Sequence, residues 1–299
     1  MSNPRIAARQ RILVVGGDGT IGRALLRHLM AEGHDVLATT RHRDRVTPTV
    51  SFLDLAEGYD TAPNADAAVI CAAVTGFSEC RNFPEIARRV NVEASVALCS
   101  DLVSRGARVI FLSTSAVFDC LSPFARGDSR VAPRSVYGRL KAEAEAGVLA
   151  LGDNATILRL TKVLTPDNGV LSRWISELKN GQVVRAFGDH RMCPILLDET
   201  LAAIGALIER GESGVYQISG AADISFEEAA RHLADRVGVP SHRVIAVRAQ
   251  DSAVAPEDIT PFTSLETSRL SALTGYIPPA PGAVIDRVFA PSLTAPARP

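Results

Sequence analysis

Short apolar runs, rich in β-branched side chains, recur through the first half of the chain. None alternates cleanly between apolar and polar positions. Strands that are apolar on both faces are typical of a parallel sheet covered by helices. The runs predicted as strands are RILVV (11–15), DVLATTR (35–41), VSFLDL (50–55), AAVICAA (67–73), RVIFLST (108–114) and ATILRL (155–160).

Segments with apolar residues at helical spacing lie between these runs. The first is ALLRHLMAEG, which Gly33 closes, and longer ones follow at residues 84–105 and about 135–150. Strand and helix therefore alternate as far as residue 160. This alternation predicts an α/β fold with a doubly wound parallel sheet.

The rhythm changes after Leu164. A helix is expected at 171–180 and another at 198–209, with short strand-like segments between and after them, and no internal repeat is present. The second part of the chain is therefore expected to form a smaller C-terminal α/β lobe. The predicted divisions are a first domain at 1–164 to which 192–220 returns, the lobe at 165–191 and 221–290, and a disordered tail at 291–299.

Composition and charge narrow the function classes. The net charge is −1, and acidic and basic residues are mixed along all 299 residues, which disfavours nucleic acid or an anionic membrane as a partner. No leader peptide or membrane span is predicted. The five cysteines are widely spaced without a metal-ligand pattern, so we expect reduced thiols, no metal and a cytoplasmic protein whose partner is a small molecule.

Three glycines, Gly16, Gly19 and Gly22, lie between the first strand and the first helix as GGDGTIG. Glycine lets the backbone approach a pyrophosphate closely, and the free N–H groups of a helix N-terminus attract its negative charge. The spacing alone is a weak signal, but its position after the first buried strand predicts a dinucleotide site. The alternative is a tight turn that only packs helix on strand.

The end of the second strand bears on which dinucleotide binds. Sites for NAD usually carry an acidic residue there, whereas this chain has Arg41, which is suited to a 2′-phosphate. NADP is therefore predicted, with NAD as the alternative, unless Arg41 merely ends the strand. Asp54, after the third strand, is a candidate for the adenine amino group, or it caps a turn.

Tyr137 and Lys141 are four residues apart at the start of a predicted helix, so they project from one face. The chain has only three lysines, and basic positions are otherwise arginine. Residues 113–115, Ser-Thr-Ser, end the fifth strand, at the edge where doubly wound folds bind ligands. We therefore predict that Tyr137 and Lys141 take part in catalysis. The alternative is a tyrosine that only packs on the aliphatic part of a lysine side chain.

These motifs resemble the short-chain dehydrogenase/reductase superfamily, in its extended branch. The matching stretches are GGDGTIG, CAAV, NVEAS, STSAVF, YGRLK and LRLT. Within that branch the chain is similar to dTDP-4-dehydrorhamnose reductases and related sugar-nucleotide reductases, through PILLDETLAAI, GVYQISG, ISFEEAARHLA and LETSRLSALTG. The resemblance implies a Rossmann domain followed by a substrate lobe.

The resemblance also implies catalytic roles. Tyr137 is the expected acid/base, and Lys141 is expected to hold the nicotinamide ribose and to lower the pKa of the tyrosine. Thr114 is the expected hydroxyl partner, with Ser115 as a less favoured substitute, and Asn91 is structural or part of a proton relay. A free tyrosine titrates near 10, so a neighbouring ammonium has a chemical purpose.

The remaining site residues are likewise implied by the resemblance. The expected cofactor contacts are Gly16, Gly19, Thr20, Ile21, Gly22, Arg41, Asp54, Leu55, Ala72, Ala73, Tyr137 and Lys141. The expected substrate contacts, to a nucleotide sugar, are Thr75, Ser115, Lys162 and Arg191; for Lys162 the alternative is an ordinary surface lysine. Cys120 occupies a position where relatives commonly carry glycine. The two long helices favour a homodimer.

The leading hypothesis is an NAD(P)H-dependent reductase of a keto sugar nucleotide. The first alternative is an epimerase or dehydratase of the same fold, although a dehydratase usually needs an acidic residue where this chain has Ser115. The second alternative is a dinucleotide-sensing regulator without turnover. Such proteins often lose the tyrosine or the lysine, and this chain has both.

Overall fold

The structure is a computed structural model that describes residues 9–59, 61–167 and 169–294. In chain order its strands are β1 (Arg11–Val15), β2 (Asp35–Thr40), β3 (Val50–Phe52), β4 (Ala67–Ile70), β5 (Arg108–Thr114), β6 (Ala155–Leu160), β7 (Lys162–Leu164), β8 (Val184–Phe187), β9 (Arg191–Met192), β10 (Pro194–Leu196), β11 (Gly214–Ile218), β12 (Ile224–Ser225) and β13 (Val244–Val247). Its helices are α1 (Thr20–Ala31), α2 (Phe77–Asn82), α3 (Pro84–Arg88), α4 (Ser95–Ser104), α5 (Val136–Leu149), α6 (Gly169–Lys179), α7 (Leu197–Arg210), α8 (Phe226–Arg236), α9 (Ser268–Thr274) and α10 (Pro281–Thr294). In the described ranges, none of these helices is both long and apolar enough to cross a membrane.

A seven-stranded sheet contains the strands in the order β11-β6-β5-β4-β1-β2-β3. Strands β1, β2, β3, β4 and β5 pair in parallel, and Val14 of β1 lies between Ala38 of β2 and Val69 of β4. This is the doubly wound parallel sheet that the sequence predicts. The strand order reverses between β1 and β4, so ligands are expected beyond the carboxyl ends of these two strands.

The core of the first unit lies under helices α4 and α5. Phe111 of β5, Leu98 of α4 and Val148 of α5 are fully buried in one cluster with side chains from β1, β4 and β6. Residues 84–104 are helical, as predicted, but Arg89–Ala94 form a π-helical segment between α3 and α4. Such π segments often occur at functional sites. Asn91 lies within it.

The chain forms two compact units. Among the described residues, the first is drawn from Met1–Val117, Val136–Arg159 and Leu201–Tyr216, and the second from Phe118–Ser135, Leu160–Thr200 and Gln217–Pro299. The boundaries therefore differ from the predicted ones in three places. Residues 118–135 and 160–164 belong to the second unit, and the chain returns to the first unit at 201–216 rather than at 192–220.

Hydrogen bonds explain these differences. Ser264 accepts from the Ala125 backbone and Ala125 accepts from the Glu266 backbone, which attaches the loop after β5 to the second unit. Strand β10 pairs in parallel with β7, and β9 pairs with β12, so residues 191–196 are held in the second unit. A one-dimensional pattern does not show which strand these short segments pair with.

The second unit has its own core. Trp174, Leu233 and Phe289, from α6, α8 and α10, are buried in one cluster. Helix α8 begins with a capping box: the Ser225 hydroxyl accepts from the Glu228 N–H, and the Glu228 carboxylate accepts from the Ser225 N–H. This reciprocal capping satisfies two backbone donors at the helix start.

The predicted disordered tail at 291–299 requires a correction. Residues 291–294 continue helix α10, whose side chains Val284, Ile285 and Phe289 are buried in the second core. The Thr294 hydroxyl donates to the Ala290 carbonyl, one turn earlier. Burial of that apolar face carries the helix past Pro291. The rest of the predicted tail, 295–299, lies outside the described residues.

Cys120 has a left-handed backbone with φ of 58°, which explains why glycine suits this position. A Cβ in this region costs roughly 1–2 kcal/mol. We therefore expect the order of stability Cys120→Gly, then Cys120→Ala, then the β-branched Cys120→Val, measured by chemical denaturation. Glycine buries less side chain than alanine, so only relief of the backbone strain can make the glycine variant the more stable of the two. An alanine variant more stable than the glycine variant would therefore contradict the strain.

Candidate active site

The glycine turn between β1 and α1 is sterically constrained. Gly16 has φ of 86°, and a Cβ there would lie 2.8 Å from the Ala72 backbone nitrogen. A Cβ on Gly22 would lie 2.2 Å from the Gly16 carbonyl oxygen. Gly19 is the N-cap of α1, and no side chain caps that helix. Its first N–H groups, from Thr20, Ile21 and Gly22, are therefore suited to an anion.

Thr39 of β2, which the sequence reasoning did not single out, anchors the turn. The Gly16 N–H donates to its hydroxyl at 3.1 Å, and the Gly17 N–H donates to its carbonyl at 3.0 Å. Thr39 is itself buried. A threonine at the end of the strand beside a glycine turn was the available signal, because β2 is adjacent to β1 in any doubly wound sheet.

Asp18, inside the glycine turn, was also missed. Its carboxylate accepts from the Thr40 hydroxyl and, at 3.1 Å, from the Arg45 guanidinium. Burial raises the pKa of Asp18, but the hydrogen bonds from Thr40 and Arg45 outweigh it, so the net pKa lies below its ordinary value. The negative charge that Asp18 brings to an anion site is thereby compensated.

The three arginines after β2 differ in their partners. Arg45 pairs with Asp18, and the Arg43 guanidinium lies 3.8 Å above the Phe52 ring. The Arg41 side chain is exposed and has no hydrogen bond or ion pair within the described ranges. Arg41 is therefore the one of these three whose guanidinium is uncommitted.

The other predicted cofactor residues lie around the same edge. One Asp54 oxygen accepts from the Ala56 N–H at 2.8 Å, so this residue caps a turn. Leu55 is buried in the core, and its side chain packs there. Ala72 and Ala73 follow β4, and the Ala72 N–H donates to the Val15 carbonyl, which brings the two strand ends together.

Thr114, Tyr137 and Lys141 are brought together by β5 and α5. Thr114 ends the strand, and its hydroxyl accepts from the Ala116 N–H at 3.1 Å. Thr114 also acts on Tyr137, because hydrogen bonding by its side chain lowers the pKa of the tyrosine. Lys141 lies one turn further along α5. The predicted hydroxyl partner thus lies close to the tyrosine. Ser115 is buried beside it.

Tyr137 lies in an apolar environment. The Phe77 ring meets it edge-on, with centroids 5.5 Å apart, and it packs against Cys80 and Leu140. Burial, followed by the Cys80 thiol, raises the pKa of Tyr137 above its ordinary value, while the Thr114 hydrogen bond lowers it. The hydroxyl is therefore protonated at neutral pH, as a proton donor requires.

Lys141 is 2% exposed. Its Nζ donates to the Leu112 carbonyl at 2.6 Å and lies 3.6 Å from the centroid of the Phe111 ring. Burial lowers the pKa of Lys141 to about 7, although Glu145 in the next turn raises it. Sequence reasoning gave no role to Glu145. No pattern marked it as buried.

Lys141 is expected to make folding stability depend on pH. Its pKa is about 7 in the folded protein against an ordinary 10.5, so the unfolded chain binds more protons between these values and stability rises with pH. Compared with Lys141→Met, the unfolding free energy should rise by about 3 kcal/mol between about pH 7 and about pH 9.5. Denaturant titrations of both proteins measure this. The same pH dependence in both would contradict the shift.

Asn91, in the π-helical segment, uses its whole side-chain amide to hold the loop after β4. Its oxygen accepts from the Val74 N–H and its nitrogen donates to the Val74 carbonyl, both at 2.8 Å. This geometry supports the structural role rather than a proton relay. Thr75, a predicted substrate contact, follows Val74 and is exposed.

The two other predicted substrate residues belong to the second unit. Lys162 begins β7 and is exposed. Arg191 pairs with Glu228 at 3.7 Å, and its backbone N–H donates to the Thr260 carbonyl. Arg191 is thus partly committed to the unit's own structure. No cluster of three or more His, Cys, Asp or Glu residues suited to a metal occurs in the part of the chain that the structure describes.

The predicted resemblance to dTDP-4-dehydrorhamnose reductases and related extended short-chain dehydrogenase/reductases is confirmed by the comparisons. The chain belongs to the RmlD substrate binding domain family, which it matches over residues 10–290.

The chain is similar in sequence to two named relatives and in structure to a solved reductase. A dTDP-4-dehydrorhamnose reductase of Mycolicibacterium smegmatis is 27% identical over 277 residues, covering 90% of this chain and 81% of the relative. Methionine adenosyltransferase 2 subunit beta of Xenopus tropicalis is 27% identical over 282 residues, covering 88% and 82%. The structure of dTDP-4-dehydrorhamnose reductase from Bacillus anthracis in complex with NADP aligns with a TM-score of 0.80, at 19% identity, over 95% of this chain and 99% of that one.

Proposed function

We propose that this protein is an NADP-preferring reductase that converts the carbonyl of a keto sugar nucleotide to an alcohol. The observation that carries the proposal is that Thr114, at the carboxyl end of β5, acts on Tyr137, which precedes the buried Lys141 by one turn of α5. Membership of the family and the similarity to named reductases support the reaction class.

The residues at the glycine turn fit a dinucleotide. A Cβ at Gly16 would collide with the backbone of Ala72, and a Cβ at Gly22 would collide with the Gly16 carbonyl. The N–H groups at the start of α1 have no side-chain cap. Arg41 is uncommitted and suits a 2′-phosphate. The dinucleotide, when bound, supplies the hydride. Gly19, Thr20 and Ile21 would hold its pyrophosphate, and Lys141 would hold the ribose.

The chain's own groups would handle the proton. The Tyr137 hydroxyl is protonated at neutral pH and would donate its proton to the substrate oxygen as that oxygen gains negative charge. The Thr114 hydroxyl would donate a second hydrogen bond to the same oxygen. The Lys141 ammonium favours the phenolate that Tyr137 becomes after donation, because opposite charges attract strongly in a buried site.

The direct test is a turnover assay. We expect oxidation of NADPH, followed by absorbance, in the presence of dTDP- or UDP-linked 4-keto sugars, and one molecule of alcohol formed for each NADPH consumed. Omission of the sugar nucleotide is the control. Binding of NADPH without oxidation across the panel would contradict a reductase. Product formation without net consumption of NADPH would indicate the epimerase or dehydratase alternative.

Arg41 is expected to set the preference for NADP. Arg41→Ala should weaken NADPH binding by about ten- to a hundredfold, since it removes a charge-assisted contact, while NADH binding changes little. Arg43→Ala is the matched control, because Arg43 is stacked on Phe52. Dissociation constants from calorimetric titration decide the matter. An equal loss for both cofactors would show that Arg41 only ends the strand.

A regulatory role is the second candidate. It is favoured by the similarity over most of the chain to a protein named as a subunit of methionine adenosyltransferase 2. Such a role predicts dinucleotide binding, no turnover and a stable complex with a larger enzyme. The presence of both Tyr137 and Lys141 favours the reductase.

A homodimer and a cytoplasmic location stay predictions. Sedimentation of the purified chain would test the homodimer.

A further inference from the structure

Helix α5 presents three functional groups on one face. Tyr137, Lys141 and Glu145 are spaced four residues apart, so their side chains follow one another along the helix. Sequence reasoning gave roles to the first two only. The third, Glu145, is buried, with 3% of its side chain exposed. A buried carboxylate one turn from a buried ammonium requires a physical account.

Arg159 of β6 holds Glu145 in place. Its Nε donates to Oε1 at 3.0 Å and to Oε2 at 3.2 Å, and its Nη2 donates to Oε2 at 2.7 Å. The Arg159 side chain is also 3% exposed. Burying two charges costs free energy that their attraction often fails to recover, so stability alone is a weak reason for such a pair.

The surroundings of Lys141 show what the carboxylate adds. Burial raises the pKa of the Cys71 and Cys99 thiols to about 12, so both are neutral at physiological pH. Tyr137 is protonated there as well. The titratable groups that act on Lys141 are Cys71 after β4, Cys99 on α4 and Glu145 on α5, and its Nζ contacts the Leu112 carbonyl and the Phe111 ring of β5. Of these, Glu145 supplies the full negative charge that favours the ammonium.

We propose that Glu145, held by Arg159, is a positioning residue that keeps Lys141 charged within its buried site. The inference rests on the proposed function, because a charged Lys141 is what favours the Tyr137 phenolate. In this arrangement Arg159 orients the carboxylate, the carboxylate favours the ammonium, and the ammonium acts on the tyrosine. Neither Glu145 nor Arg159 touches substrate.

The chain offers a direct measurement on the lysine. It contains only three lysines, so labelling lysine with ¹³C at Cε gives three side-chain signals to titrate by NMR. Variants Lys162→Arg and Lys179→Arg assign two of them and leave Lys141. The test variant is Glu145→Gln with Arg159→Met, which removes both charges together and leaves no unpaired charge buried.

The expected result is a fall of about one unit or more in the pKa of Lys141 in the double variant. The matched control is Glu143→Gln with Arg88→Met, which removes an exposed two-pronged ion pair between Glu143 of α5 and Arg88 of α3. The control should leave Lys141 unchanged. A double variant that folds and titrates Lys141 as the wild type does would overturn the proposal, since a purely structural pair predicts that outcome.

Enzyme kinetics provide a readout that a structural role would not move. Reduction needs the ammonium, so the alkaline limb of the kcat/KM profile should shift to lower pH by the same amount as the lysine. If the double variant does not fold, Glu145→Asp serves instead. The shorter side chain keeps the negative charge but moves it away from Lys141, so we expect a smaller fall in the pKa of Lys141. An unchanged pKa of Lys141 in that variant would overturn the proposal.

The NMR titration needs no substrate, so its outcome is separate from that of the turnover assay. A fall in the pKa of Lys141 in an enzyme without turnover would reject the reductase function and leave the role of Glu145 standing.

Discussion

Replacing Tyr137 with phenylalanine is expected to lower kcat by about 10²- to 10⁴-fold, because the variant loses the group that donates the proton. The phenyl ring would keep its edge-on contact with Phe77 and its packing against Cys80. The dissociation constant for NADPH should therefore change little. Steady-state kinetics with the best keto sugar nucleotide, together with a cofactor titration, measure both quantities.

Tyr59→Phe is the matched control for that variant. Tyr59 also belongs to the first unit and packs against its core, but it is not among the candidate site residues. We expect this control to retain the wild-type rate. A loss of less than about tenfold in Tyr137→Phe would be too small for a general acid and would remove the tyrosine from the mechanism.

Gly22→Ala is expected to abolish tight dinucleotide binding. The added methyl group would lie 2.2 Å from the Gly16 carbonyl oxygen, which is backbone and has no flexible end to move aside. Overpacking of this kind costs about 1–3 kcal/mol of folding stability, and the turn must open to relieve it. We expect at least about a tenfold rise in the NADPH dissociation constant, measured beside a thermal melt.

Gly169→Ala provides the comparison. Gly169 begins α6, and a Cβ there meets no atom within 4 Å. Alanine at a helix start without a clash should be neutral or slightly stabilising. If Gly22→Ala bound NADPH as well as Gly169→Ala does, close backbone packing would not be what the turn requires, and the glycine would be replaceable.

Much of the fold was predictable because its signals are local. The β-branched runs predicted β1, β5 and β6 at their observed bounds, since strands of a parallel sheet are apolar on both faces. The division into units was less accurate. Residues 118–135 carry no pattern that marks their attachment, which depends on hydrogen bonds to segments more than a hundred residues away, such as that from the Phe124 N–H to the Ser264 hydroxyl.

The site shows the same limit. Tyr137 and Lys141 were recognisable because a helix places residues four apart on one face, and Thr114 because it ends a strand. Asn91 was recognised, but which of its two roles it fills depended on the Val74 backbone that its amide contacts. Arg41 was singled out by its position after β2, but only the structure shows that Arg43 and Arg45 have partners and Arg41 has none in the described ranges.

The sequence by itself determined the strands, the glycine turn, the spacing of the tyrosine and lysine, and the superfamily, because each depends on residues close together in the chain. Only the tertiary structure decided which charges meet. Asp18 pairs with Arg45 across 27 residues, and Glu145 pairs with Arg159 across 14, from a helix to a strand. A glutamate in VYGRLKAEAE looks like any solvent-exposed helix former until packing buries it. Once buried, it must have a partner, and the sheet provides that partner by placing β6 beneath the helix's inner face.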